Sequence, residues 1–310
     1  MRVLLVSTNR CASPTPVMPI GACRVADAAD RADHRVELLD LMFEAHPARA
    51  LRRRLADIGP DIVGLSIRNA DNAHLAAPVE HCRFPGITEA LRGHHVVIGG
   101  PAVSVFPAAL LRRTGADHAV VGEGERAFPR LLSALENGNP APDIPGIARL
   151  TPDGLRLNPP SHDCPPDAPV LPHYDRWIDL ERYARAGATV PLQASRGCPR
   201  RCVYCTYPRL EGKRHRLAKP GRIAEAVEWL ANRKIRNIEF VDNVFNSPPG
   251  HAEQICQELA RLDADVHLHT ADLSPAHLDA HLPDLLERAG FAGVGISAEG
   301  ACDPVLEGLG

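Results

Sequence analysis

The sequence predicts an α/β protein in two parts, a doubly wound parallel sheet followed by a partial β/α barrel. Three observations carry that prediction. A chain of 310 residues is too long for one ordinary small domain. Short apolar runs alternate with helix-period segments through both halves. A proline-rich stretch separates them, so the expected bounds are 1–140, a linker over 141–186, and 187–310.

In the first part, residues 2–7, 35–39, 61–67, 95–98 and 118–121 are apolar runs that read as five strands. The first, Val3-Leu4-Leu5-Val6, is too short for a secretory signal and is followed at once by polar residues. Leu51, Leu55 and Ile58 keep helical spacing, with Arg52-Arg53-Arg54 as the wet face of that helix. After the fifth strand, Phe128, Leu131, Leu132 and Leu135 repeat at i, i+3, i+4 and i+7. Such alternation implies a parallel sheet covered on both faces, and right-handed crossovers favour a flavodoxin-like strand order.

Ligands of such sheets bind beyond the carboxyl ends of the strands, near the switch in strand order. Thr8-Asn9-Arg10 follows the first strand and Arg68-Asn69-Ala70-Asp71-Asn72 the third. Gly99-Gly100-Pro101 ends the fourth, and Gly122-Glu123-Gly124-Glu125 the fifth. Glycines there let a backbone approach a bulky ligand, because no Cβ intervenes.

The runs from Val96 to Pro101 and from Gly115 to Glu125 resemble the cobalamin-binding domain of B12-dependent radical S-adenosylmethionine enzymes. The resemblance implies cobalamin held by Thr8, Asn9, Arg68, Asn69, Gly99, Gly100, Gly122, Glu123, Gly124 and Glu125. One feature departs from other B12 domains. No Asp-x-His-x-x-Gly supplies a histidine beneath the cobalt, and Asp71-Asn72-Ala73-His74 has the wrong spacing. Arg68, the first long polar side chain past Ile67, is expected to cover the lower axial face, since a guanidinium has no lone pair for a metal. The alternative is that Arg68 pairs with Asp71 or a corrin amide and only holds the loop.

The linker holds Pro140, Pro142, Pro145, Pro159, Pro160, Pro165, Pro166 and Pro169, which resist helix and central strand. Residues 147–150 and 154–157 read as a small hairpin, and Tyr174, Trp177 and Tyr183 as anchors. Beyond it, strands are expected at 190–194, 237–241, 266–269 and 293–297. Helical stripes lie between them: Ile223, Ala226, Val227 and Leu230, then Ile255, Leu259 and Leu262, then Leu278, Leu282, Leu285 and Leu286. Repeated β/α units of this kind place active residues at the strand carboxyl ends.

With 45% hydrophobic and 24% charged residues, the composition is that of a globular protein. The formal charge of −3 gives no footprint for nucleic acid or an anionic membrane, and no membrane span is present. A cytoplasmic location is expected, where thiols stay reduced, so the nine cysteines need a reason other than disulfides. Cys23 and Cys256 sit in helical patterns and read as core filler, while Cys11, Cys82 and Cys164 lie in loops.

The remaining group is Cys198-Pro199-Arg200-Arg201-Cys202-Val203-Tyr204-Cys205, directly after an apolar run and Gly197. Structural zinc wants four ligands in two close pairs, and no second pair follows. Three thiolates on one loop suit three irons of a cubane and leave the fourth open. The C-x₃-C-x₂-C spacing with an aromatic before the last cysteine resembles the radical S-adenosylmethionine superfamily, through Cys205–Gly212 and Arg216 to Glu299-Gly300. The resemblance implies a [4Fe–4S] cluster on Cys198, Cys202 and Cys205, with S-adenosylmethionine near Tyr204, Asp242 and Glu299. It also implies a 5′-deoxyadenosyl radical as oxidant, and an electron donor such as flavodoxin or ferredoxin.

The family's barrel has six β/α units, whereas four strands are counted from Val190 to Gly310, so the barrel is expected to be incomplete. The function implied is a cobalamin-dependent methyltransferase acting on an unactivated centre of a small molecule. Two alternatives stand beside it: ring formation or rearrangement with the same cofactors, and a truncated, non-catalytic cofactor-binding protein.

Overall fold

The computed structural model describes residues 1–70, 84, 86–164, 170–300 and 302–309. The expected loop residues Asp71, Asn72 and His74, together with Cys82, Pro165, Pro166 and Pro169, lie outside the described residues. The chain divides into two compact units, Met1–Cys164 with Pro172–Leu180, and Pro165–Leu171 with Glu181–Gly310.

The first unit runs β1 (Arg2–Ser7), α1 (Ile20–Arg31), β2 (Arg35–Asp40), α2 (Pro47–Ile58), β3 (Ile62–Ser66), α3 (Ile87–Ala90) and β4 (Val96–Gly99). It continues through α4 (Pro101–Val105), α5 (Pro107–Thr114), β5 (His118–Val120), α6 (Gly124–Glu136), β6 (Ile147–Thr151), β7 (Gly154–Leu157) and α7 (Tyr174–Trp177). The strand order is β2-β1-β3-β4-β5-β6-β7. The first five strands pair in parallel, with Val3 opposite both Val36 and Ile62, as the expected flavodoxin-like order requires.

Both faces of that sheet are covered, which is why its strands are apolar at successive positions rather than alternate ones. Leu4, Val6, Leu65 and Ile98 bury against Leu51 and Leu55 of α2 and Leu110 and Leu111 of α5. On the other face, Gly64 leaves room for Leu5 and for Phe128 of α6. Gly59 ends α2 in the left-handed conformation at φ 54°, its N–H donating to Leu55 O at 2.9 Å.

Much of the expected linker belongs to the first unit. The predicted hairpin forms as β6 and β7, and β6 adds antiparallel to the edge of β5, with Ala119 opposite Ala148. Pro172–Leu180 returns to α1, where Asp27 accepts from Trp177 Nε1 at 2.7 Å, His173 N at 3.1 Å and His173 Nδ1 at 3.0 Å. Tyr174 and Trp177 are buried there, and Tyr183 is buried in the second unit.

The second unit follows α8 (Leu180–Arg185), at whose first residue the division falls, with β8 (Val190–Leu192), β9 (Ser195–Arg196), α9 (Tyr207–Leu210), β10 (Arg216–Leu217) and α10 (Pro220–Ala231). Then come β11 (Asn237–Phe240), α11 (His251–Leu259), β12 (His267–Leu273), α12 (Leu282–Arg288), β13 (Phe291–Ile296) and α13 (Asp303–Leu309). Four strands form a parallel sheet in the order β13-β12-β11-β8, and β9 pairs antiparallel with β10. Within the four-stranded sheet the strands lie side by side in chain order, with the β9–β10 pair inserted between β8 and β11, as in a barrel wall.

Two expected helix positions differ. Leu278 has an extended backbone and lies outside α12, which begins at Leu282; Asp279 Oδ1 accepts from the N–H groups of His281 and Leu282, at 2.9 Å each, just before it. Leu262 lies beyond α11, which stops at Leu259. Among the described residues no helix is long and apolar enough to cross a membrane.

Candidate functional site

In a parallel sheet the carboxyl ends of all strands meet at one edge, so the residues expected to bind cobalamin share that edge of the first unit. Their roles are unequal. Thr8 donates from N and Oγ1 to Ser66 O, at 3.1 and 2.8 Å, tying the ends of β1 and β3 together. Asn9 Oδ1 accepts from Cys11 N at 3.2 Å, which leaves Asn9 Nδ2 as a buried donor with no partner among the described residues. Arg68 and Asn69 are exposed.

The glycines divide likewise. Gly100 has φ 107°, and a Cβ there would stand 2.6 Å from Ile67 O, so this glycine serves the chain's own turn. At Gly124 a Cβ would meet Val25 at 2.9 Å. At Gly99 the nearest atom is Val120 Cβ at 3.6 Å, an ordinary contact. Gly122 N donates to Ser104 Oγ at 2.9 Å, and Ser104 Oγ donates to Gly100 O at 3.2 Å, so buried Ser104 joins the two glycine turns. Glu123 accepts from Cys164 N at 3.3 Å, holding the irregular segment that leaves the hairpin. Ser104 was not legible as a site residue, because it sits inside an apolar helical run. The unpartnered Asn9 donor, the open Gly99 and the exposed Arg68 and Asn69 fit a large ligand rich in amides and carbonyls.

In the second unit, Cys198 is buried and Cys202 and Cys205 are half-buried on the loop between β9 and α9. Cys198 N donates to Gly212 O at 3.1 Å, and Cys205 N to Cys202 O at 3.1 Å. Burial pushes the Cys205 thiol up, and the charges of Cys202, Cys198 and Glu299 add to that shift. Among the described residues no three His, Cys, Asp or Glu side chains converge on a single ion. A cubane needs its thiolates spread, one to each iron, so three free cysteines on one loop fit a cluster better than a zinc ion. Cys23 and Cys256 are fully buried, and burial pushes the Cys256 thiol up to about 12, as core filler requires.

Tyr204 and Glu299 are brought together. The Glu299 carboxylate beside it pushes the Tyr204 hydroxyl up, although Tyr204 itself is exposed, so the segment after β13 lies next to the cysteine loop. Glu299 has φ 61°, the left-handed backbone. Asp242 is placed differently. It is buried, and accepts from Ala194 N at 3.2 Å, from Ser195 Oγ at 2.7 Å and from Ser195 N. Burial pushes its carboxyl up to about 7 even though those donors pull the other way. Asp242 thus braces the end of β11 against the segment entering the cysteine loop.

Sequence reasoning missed the two residues beside it. Glu211 takes donors from Gln193, Gly197 and Asn243. Asn243 has its Nδ2 on Glu211 and its Oδ1 buried without a partner among the described residues. No local pattern marks either one, since their partners are distant in sequence.

Comparison with known proteins follows the same division. A B12 binding domain model matches residues 10–132, and a Radical SAM superfamily model matches residues 192–309. An uncharacterized methyltransferase of Pyrococcus horikoshii is 27% identical over 321 residues, covering 100% of this chain and 68% of that protein. Tryptophan 2-C-methyltransferase of Streptomyces laurentii is 25% identical, covering 99% of this chain and 61% of that protein. Among solved structures, the radical S-adenosylmethionine methyltransferase TsrM of Kitasatospora setae, with cobalamin and a [4Fe–4S] cluster bound, superposes with a TM-score of 0.87 at 26% identity. That match covers 99% of this chain and 60% of that one. The chain therefore spans from 60% to 68% of the length of these three relatives.

Proposed function

Because the chain belongs to the cobalamin-dependent radical S-adenosylmethionine methyltransferase family, we propose that it moves a methyl group from S-adenosylmethionine, by way of cobalamin, to an unactivated carbon or phosphorus centre of a small molecule. One observation carries this reading: the two family matches fall in tandem on the two compact units, and the second holds all three cysteines on one loop. When bound, the cluster supplies an electron to S-adenosylmethionine, and cobalamin carries the methyl group.

The chain's own residues bind and orient. Cys198, Cys202 and Cys205 hold the cluster. Tyr204 and Glu299, side by side, form one wall for S-adenosylmethionine. Asn243, rather than the buried Asp242, offers it an acceptor. Asn9, Gly99, Arg68 and Asn69 receive the corrin, and Arg68 covers its lower face without donating a lone pair. The electron comes from a small redox protein of the flavodoxin or ferredoxin kind. Exposed Arg201 and Val203 on the cysteine loop suit such a contact. Reduced thiols suit the cytoplasm.

The test is anaerobic reconstitution of the chain with iron, sulfide and hydroxocobalamin, followed by incubation with S-adenosylmethionine, a reductant and candidate substrates. Tryptophan, the substrate in a related Kitasatospora structure, is the first compound to try. About four irons per chain are expected, lost in Cys198→Ala, Cys202→Ala or Cys205→Ala and retained in Cys256→Ala. Methylated product with S-adenosylhomocysteine supports methyl transfer, and a cyclised product without it supports ring formation. A loaded chain that cleaves no S-adenosylmethionine with any substrate would overturn the catalytic reading.

A further inference from the structure

The segment that follows the cysteine loop folds back beneath it, and one carboxylate holds the fold-back in place. Glu211 Oε1 accepts from Gln193 Nε2 at 2.8 Å. Its Oε2 accepts from Gly197 N at 3.2 Å and from Asn243 Nδ2 at 2.9 Å. The backbone is committed to the same arrangement. Arg216 Nη2 donates to Glu211 O at 2.6 Å, and Cys198 N donates to Gly212 O at 3.1 Å. Gly197 has φ 79°, and a Cβ there would stand 2.2 Å from Arg214 O, so the two strands of this turn leave no space between them.

Two of the Glu211 donors matter beyond packing. Gly197 precedes the first cysteine, so its N–H bond anchors the Arg196–Gly197 peptide, one residue before Cys198, while Cys198 N is held by Gly212 O. Asn243 follows β11, and its bond to Glu211 decides which way its amide faces, because a carboxylate accepts and cannot donate. Its Oδ1 is thereby left as a buried acceptor with no partner among the described residues. A buried acceptor without a donor is costly, and an amino N–H of a ligand beside the cluster would satisfy it.

We infer that Glu211 is a positioning residue, whose single carboxylate sets the spacing between cluster ligand Cys198 and the acceptor Asn243 Oδ1, and so couples the cluster loop to recognition of the S-adenosylmethionine amino group. This rests on the cluster and S-adenosylmethionine reading proposed above. Glu211 touches neither cofactor and acts through Gly197 and Asn243.

The test uses the full chain, reconstituted anaerobically, with three readouts: iron content, S-adenosylmethionine Kd, and the change that S-adenosylmethionine makes in the electron paramagnetic resonance of the reduced cluster. Glu211→Ala should keep its iron, because the three thiols are intact. It should bind S-adenosylmethionine about tenfold more weakly, the size of one hydrogen bond to a charged group, with a diminished spectral change. Asn243→Ala should match it. The double variant should be no weaker than Asn243→Ala alone, since one residue acts through the other. Glu211→Gln should show a smaller loss, because its oxygen still serves Gly197 and Asn243 while Gln193 turns its amide to meet the new NH₂. Unchanged Kd and spectrum in Glu211→Ala, or losses that add in the double variant, overturn the inference. If Glu211→Ala does not fold, wild-type behaviour of Glu211→Gln overturns it instead. An unmutated chain that takes up no cluster, or a loaded one that binds no S-adenosylmethionine, overturns the functional reading and this inference with it.

Discussion

At the scale of single residues, Gly99 and Gly100 look alike in sequence and do different work. Gly100 is held at φ 107° against Ile67 O, so a side chain there strains the turn whatever ligand is present. Gly99 has room for a methyl group within the protein. Gly100→Ala is therefore expected to lower the stability of the first unit by about 1–3 kcal/mol, visible in thermal melts without any ligand. Gly99→Ala should melt as the unmutated chain does and bind hydroxocobalamin about tenfold more weakly, by crowding the corrin. Titration calorimetry beside the melts separates the two. Equal loss of cobalamin affinity with no loss of stability in both variants would refute the division. Arg68 is tested by electron paramagnetic resonance of the Co(II) form. A signal free of nitrogen splitting is expected in the unmutated protein, and nitrogen splitting there would place a ligand beneath the cobalt.

At the scale of elements, Asp242 shows how a strand end is locked. The carboxyl joins β11 to the segment after β8 through three donors, yet burial holds its pKa at about 7. The native chain thus keeps a proton that the unfolded chain has already released. Stability falls as pH rises from the ordinary 3.8 towards about 7, then levels off once both states are ionised. Asp242→Asn, which cannot titrate, should flatten that slope. The measurement is urea unfolding across this window, followed by Trp229 in a Trp177→Phe background, because each unit holds one tryptophan. An unaltered slope in Asp242→Asn would assign the dependence to other groups. The return segment is held by a comparable device, since Asp27 gathers Trp177 and His173 onto α1 and turns a proline-rich stretch into part of the first unit.

At the scale of the whole molecule, the residues proposed to hold cobalamin and those proposed to hold the cluster fall on separate compact units. Loading of one is therefore expected not to require the other. The triple variant Cys198→Ala, Cys202→Ala, Cys205→Ala should take up no cluster and still bind hydroxocobalamin with the affinity of the unmutated chain. Absorbance after desalting reads both cofactors in one spectrum. Loss of cobalamin binding in a triple variant that remains folded would show that the sites depend on each other.

The sequence by itself determined the five parallel strands of the first unit, the four of the second and the cysteine triplet. Each is a local pattern: a run of apolar residues, a glycine after a strand, a fixed spacing of thiols. The tandem order of the two cofactor domains was legible too, through the resemblance of residues 96–101 and 115–125 to B12 domains and of the cysteine spacing to radical S-adenosylmethionine enzymes. Only the tertiary structure decided what each polar residue at the strand ends does. Asp242 was legible as a strand-end acid, but not that it turns to Ala194 and Ser195, more than forty residues away in sequence. Glu211 and Asn243 went unseen for the same reason. A carboxylate's role is set by the donors around it, and those donors are brought together by strand pairing and loop return, which no local spacing encodes.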